Sequence, residues 1–349
     1  MKLVSALLTV FLLGALAQTP SATAIIKDGT GAVAFLRFSP DGRELARISQ
    51  FGPVMLFDTN GYRKARTFSI GMRMVAYSAD GTKIATAEGR DGARVWDAAD
   101  AGKPTRNSVV DEVRLLDTPL RVLQAPSQDP TQTLFWTEFS PDGKRLLTTH
   151  SYGHVKIWNT SFWTVEEQID LTDTEVRAAV FAPDGKTIVT GDTSGKLRQW
   201  NLATKAEIQN LRTPDGAGAV TGVAFSPDGK TLVTTHQSAS GSSVMLWNTT
   251  GWIAQIESGF ASAAFSKDGK LLALGGSNIK LIDPSTWKPI RTIELPQMTM
   301  GEAARQFQNQ PNANLKIPIL LGALAFSPDG QTLAAGSVDT TIRLVPVGQ

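Results

Sequence analysis

The side chains best able to do chemistry in this sequence are three histidines, His150, His154 and His236, and the acids that recur in register with them. His150 and His236 end two apolar runs, RLLTTH and TLVTTH; the same position in related runs holds Glu88 and Asp192, with Arg90 just beyond the first. His150 and His154 are close enough on one hairpin to offer two imidazoles to a divalent ion, with a carboxylate from a neighbouring run. The alternative is that all six are polar rim residues capping loops. A second set, Arg37, Arg73, Glu138 and Arg177, lies in runs otherwise lined by alanine and small apolar residues. Charges there could bind an anionic group, hydrogen-bond to water or pair with one another. No catalytic residue is assigned and no cofactor is expected. The chain has no Gly-x-Ser-x-Gly elbow, phosphate-binding glycine loop or His-Glu-x-x-His, and with no cysteine it has no thiol nucleophile, thiolate zinc site or disulfide.

The elements that position these residues are written as a repeat. FSPDG occurs at 38–42, 139–143, 225–229 and 326–330, with variants YSADG at 77–81, FAPDG at 181–185 and FSKDG at 265–269. Proline at the second turn position and glycine where positive φ is favoured make each a tight hairpin turn. The glycine spacings are 39, 62, 42, 44, 40 and 61 residues, a base period near forty with two long intervals. After each turn comes a second apolar run, then a third: VMLFD (54–58), ARVWD (93–97), VKIWN (155–159), LRQWN (197–201), VMLWN (244–248), IKLID (279–283) and IRLVP (342–346).

A unit of this kind resembles the tryptophan-aspartate (WD) repeat, and the match covers roughly residues 23–349. The resemblance implies an all-β, seven-bladed β-propeller of four-stranded antiparallel blades. Each repeat then supplies the outer strand of one blade and three strands of the next, and the N-terminal strand, here Thr23 to Lys27, completes the last blade. Closure of that kind removes exposed sheet edges. The glycine-histidine pair that opens a typical repeat is missing, so the family's histidine-containing buried network is expected to be incomplete.

A remnant is legible. Thr86, Thr148, Thr190 and Thr234 hold one position of the second runs, and Trp96, Trp158, Trp200 and Trp247 hold the matching position of the third. The other three repeats have Arg47, Leu274 and Ala335 against Phe57, Ile282 and Val345, so threonine occurs only where tryptophan does. A buried indole N–H needs an acceptor, and a threonine hydroxyl across the hairpin supplies one. The extra residues are expected after outer strands at KPTRNSVV (103–110) and TWKPIRTIEL (286–295), leaving insertions near 111–131 and 296–318 on one face. Four aromatics, Tyr62, Trp163, Trp252 and Trp287, follow the third runs on the opposite face, as a binding girdle or as packing.

The residues MKLVSALLTVFLLGALA (1–17) have a lysine, a short apolar run and a small-x-small end, the pattern of a secretory signal peptide, so 18–349 is expected to be the exported propeller, periplasmic or secreted. No integral membrane segment is expected after signal removal. A net charge of +2, without single-sign blocks, makes nucleic acid an unexpected partner. The resemblance implies a monomeric, non-catalytic scaffold that binds an unidentified protein or peptide through its loop-rich face. The alternative is a small-ligand-binding or hydrolytic, lactonase-like propeller that uses the channel mouth.

Overall fold

The repeat dictates a ring of hairpins, and the computed structural model has that form. It describes residues 24–27, 31–49, 52–68, 74–87, 92–101, 119–123, 133–171, 174–211, 213–249, 253–299, 316–318 and 320–348. Seven four-stranded antiparallel sheets follow one another around an axis. Blade 1 comprises Val33–Phe38, Glu44–Ser49, Val54–Asp58 and Arg63–Phe68, which we letter a to d from the axis outward. Strand a of blades 2 to 7 is Met74–Tyr77, Leu134–Phe139, Val176–Phe181, Ala219–Phe225, Phe260–Phe265 and Leu321–Phe326. Strand d of blade 7 is the N-terminal Ala24–Lys27, paired antiparallel to the C-terminal Thr341–Pro346 with Ile26 opposite Ile342. The two ends of the chain thus close the ring within one sheet.

The core lies between blades. The buried residues form seven clusters, one per junction; for example Leu36 and Phe57 of blade 1 meet Ala334 and Leu344 of blade 7. Clasps at the perimeter reinforce the junctions. Arg66 on strand d of blade 1 donates to the carbonyls of Ala98 and Ala101 in blade 2 at 2.8 Å, and Arg291 of blade 6 donates to the Pro346 carbonyl at 3.1 Å.

The tight turns are stabilised from within, and four of them also brace the next. In six of them the serine hydroxyl donates to the aspartate two residues on, as in Ser226 to Asp228 at 2.7 Å, and accepts the amide that restarts strand b. The aspartate also accepts a backbone amide, Lys230 N at 3.0 Å in that turn. Hydrogen bonds from Ser78 and the Thr82 amide hold the Asp80 carboxyl down to about 2. A second device links successive turns. Pro328, Pro40, Pro183 and Pro227 lie 3.4 to 3.6 Å from where a Cβ would stand on Gly42, Gly81, Gly229 and Gly269 of the next blade. Where proline is replaced by Ala79 or Lys267, a Cβ placed on the following Gly143 or Gly330 would meet nothing within 4 Å. Gly185 lacks such a contact although Pro141 precedes it.

One boundary differs from the sequence reading. The outer strand of blade 2 is Arg121–Leu123, paired with Ala93–Val95, and not 103–110. The extra residues ahead of it therefore join strand c to strand d. That connection belongs to the face of the a–b and c–d turns, and the expected insertion 111–131 contains the outer strand itself. The second insertion follows strand d of blade 6, Lys288–Glu294, and its ends Gln297–Thr299 and Lys316–Pro318 pair as a two-stranded ribbon on the b–c and d–a face. The two extra segments thus leave from opposite faces. Residues 1–23, 102–118, 124–132 and 300–315 lie outside the described residues, as do Arg73, Glu88, Arg90 and Trp252.

Candidate functional site

In blades 2 to 5 the tryptophan on strand c donates its Nε1–H to the threonine on strand b. The distances are 3.2 Å for Trp96 to Thr86, 2.8 Å for Trp158 to Thr148, 3.0 Å for Trp200 to Thr190 and 2.9 Å for Trp247 to Thr234. In blades 3 and 5 the chain continues, because Thr148 meets His150 Nε2 at 3.0 Å and Thr234 meets His236 Nε2 at 2.8 Å. A histidine at the end of strand b thus takes part in place of one at the start of the repeat, giving two blades a tryptophan–threonine–histidine chain; among the described residues no aspartate bonds either imidazole, so the family's network is incomplete there, as the sequence implies. Since the threonine oxygen already accepts the indole proton, its own proton goes to Nε2, and the neutral imidazole carries its hydrogen on Nδ1.

Burial fixes that state. His150, His236 and Asp192 are only 2%, 1% and 2% exposed. Burial, aided by the nearby charges of Lys156 and His154, lowers the His150 imidazole to about 3, and burial lowers His236 too. A hydroxyl hydrogen-bonded to a neutral imidazole is the pairing that activates a nucleophile, yet Thr148 and Thr234 are fully buried, so no substrate reaches them. His154 stands apart, half-buried, with Nδ1 2.6 Å from Asp170 Oδ1. Asp192 binds its own turn through Ser194 and the Lys196 amide, with Arg198 3.7 Å away. The rim candidates that are described therefore do not converge. Among the described residues, no group of three or more His, Cys, Asp or Glu could hold a metal ion.

The channel candidates divide the same way. Arg37 on blade 1 reaches past blade 2 to Glu138 on blade 3, with Nη2 2.9 Å from Oε1 and Nη1 3.4 Å from Oε2. Burial works against the Arg37 charge, but the attraction and hydrogen bonds of Glu138 outweigh it and raise its pKa. The pair is an ionic strut on the inner surface of the ring. Arg177 does not join it. It is the bulge residue between Val176 and Ala178, pairs with Glu175 at 2.7 Å and lies 4.5 Å over the Phe135 ring.

Sequence reasoning missed a row of cations two residues before the strand c aromatic. Arg94, Lys156, Arg198, Lys280 and Arg343 occupy it, with Met55 and Met245 in the remaining blades. Lys280 pairs with Glu257 of the preceding blade at 2.8 Å. In blade 7, where Ala335 and Val345 replace the threonine–tryptophan pair, Arg343 bonds Asp339, Thr341 and Ser337, a polar network built from different parts. Burial opposes the Asp339 charge, but those partners bring its carboxyl to about 2. The signal was visible as a column in the aligned repeats. Of the turn-face aromatics, Tyr62, Trp163 and Trp287 each pack partly buried against an inter-blade cluster.

Four segments, residues 118–159, 167–201, 208–248 and 321–345, match the family model described as WD domain, G-beta repeat. The first begins just ahead of Arg121–Leu123 and ends with strand c of blade 3, so its limits agree with that outer strand. No curated protein matches the chain. The closed ring of seven sheets and these matches define the class: the molecule is a seven-bladed β-propeller, and four of its segments match the WD repeat. Among the described residues, no helix is long and apolar enough to cross a membrane.

Proposed function

We propose that the protein is a non-catalytic interaction scaffold, exported from the cytoplasm, that holds a protein or peptide partner against its b–c and d–a loop face. WD-repeat propellers commonly serve as rigid platforms for protein partners, and a rigid scaffold presenting variable loops suits that work. The observation that carries the reading is a pair of exposed apolar side chains at the base of the ribbon. Leu320 and Val338 are 50% and 39% exposed and are tied by the Val338 amide donating to the Leu320 carbonyl at 3.1 Å. Tyr152, 57% exposed, stands on the same face in the b–c turn of blade 3. Exposed apolar side chains held on a fixed frame are what a partner's interface needs at its centre, and Tyr152 offers a separate aromatic contact on another blade of the same face. The hydrolytic reading has less support, since its hydroxyl–imidazole pairs are sealed in the blades.

Photo-crosslinking in the producing cell tests the reading. A benzophenone side chain at 338 or 320 is expected to capture one discrete partner, and the same group at Ile208 on the outer perimeter to capture none. The adduct is expected to disappear on deleting 300–315. Equal yields at 338 and 208, or no adduct at all, would contradict the proposal.

A further inference from the structure

Two cavities open side by side on the opposite face, at the junctions of blades 4 and 5 and of blades 5 and 6, and they share Asp228. The larger, about 420 Å³, lies between the a–b turn of blade 5 and the c–d turn of blade 6, and its neighbour is about 360 Å³. Both volumes fall in the range of small-molecule sites. Trp287 forms one wall of the larger cavity, and Asp228, Lys230, Thr231, Asn248 and Ser285 supply the polar lining.

The chemistry of that lining is selective. Asp228 spends Oδ1 on the Ser226 hydroxyl and the Lys230 amide, at 2.7 and 3.0 Å, while Oδ2 has only the Lys230 ammonium, at 4.0 Å. One carboxylate oxygen is thus free to accept hydroxyl protons. Asp228 and Lys230 cancel in charge, so the cavity selects for neither an anion nor a cation. The hydroxyl of Ser285 donates to Asp283 at 2.7 Å and keeps its acceptor lone pairs. The Trp287 backbone is fixed in a left-handed conformation, φ 57°, with its N–H donating a hydrogen bond to the Asp283 carbonyl at 2.7 Å, which sets where the indole stands. An aromatic wall beside a neutral set of carboxylate, amide and hydroxyl groups matches a ring with one apolar C–H face and a hydroxylated edge.

We propose that this turn-face trough binds a pyranose oligosaccharide, one ring against Trp287 with its hydroxyls on Asp228 and Asn248, and the chain continuing past Asp228 into the adjoining cavity. The site lies on the face opposite the one assigned to a protein partner, so each stands or fails alone.

Isothermal titration of the full chain with tetramers of β-1,4-glucose, α-1,4-glucose and β-1,4-N-acetylglucosamine tests it. Saturable binding of at least one is expected. Trp287→Ala should weaken it at least tenfold, Asn248→Ala several-fold, and Trp287→Phe less than Trp287→Ala. Because Trp287 also packs against the core, unfolding midpoints are measured on each variant; if Trp287→Ala fails to fold, Asn248→Ala decides. No saturable binding with any tetramer, or an affinity unchanged by Asn248→Ala and Trp287→Ala, would overturn the assignment.

Discussion

A threonine hydroxyl accepts one hydrogen bond while donating another, and that dual capacity sets the energetics of the blades. Thr234 accepts from Trp247 and donates to His236, whereas Thr190 accepts from Trp200 and has in addition only a long 3.4 Å bond to the Arg198 carbonyl. Each buried polar atom left unpaired costs on the order of 1–3 kcal/mol. Thr234→Val is therefore expected to lower the denaturation midpoint more than Thr190→Val, and equal losses would remove the histidine from the network. A pH test follows from the same geometry. His150 titrates near 3 in the native state against about 6.5 unfolded. The native state thus binds fewer protons across that window. The histidine's contribution is complete above pH 6.5 and is lost as pH falls toward 3, by up to about 1.4 kcal/mol per pH unit. His150→Gln should flatten the fall in melting temperature between pH 7 and pH 4.5 relative to the parent chain. The threonine–tryptophan pairing was legible because both columns change together along the sequence. The burial of His150 was not, since a polar residue at a strand end reads equally well as rim or interior. Nor could repeats 101 residues apart reveal that Arg37 meets Glu138, which needs the curvature of the ring.

At the scale of elements, the tight turn recurs because each copy closes its own hairpin and, in four cases, lays its proline on the next glycine. The blade 4 turn lacks one part: Ala182 stands where the other six turns have serine, and the Thr187 amide makes do with Asp184 at 3.4 Å. Ala182→Ser should restore the hydroxyl relay and raise stability by about 0.5–1.5 kcal/mol, the net worth of a hydrogen bond. An unchanged or lower midpoint in chemical denaturation would show that the relay does not support the turn. The third strands, apolar runs that end on a fixed aromatic or aliphatic position and an acid or amide, are legible nearly to the residue: 54–58, 93–97 and 197–201 coincide with the observed strands. The outer strand of blade 2 was misplaced because Arg121 and Val122 are exposed and only three residues pair, so apolar periodicity is weak there. That single displacement moved an insertion from one face of the ring to the other.

For the molecule as a whole, function rests on closure. A closed ring makes the two faces distinct, rigid platforms, one with exposed Leu320 and Val338 beside the ribbon and the other with the turn-face trough. Everything assigned to either face requires Ala24–Lys27 to be the outer strand of blade 7. The chain has no cysteine, so an engineered pair reports cleanly on that contact. Ile26 and Ile342 stand directly opposite across the closing pair, where side chains come within reach of a disulfide. In Ile26→Cys/Ile342→Cys, oxidation under native conditions should give an intramolecular disulfide with a raised melting temperature, while Ile25→Cys/Ile342→Cys, which points to the other side of the sheet, should not. Two freely reactive thiols in the first variant, without denaturant, would mean that the ring is open.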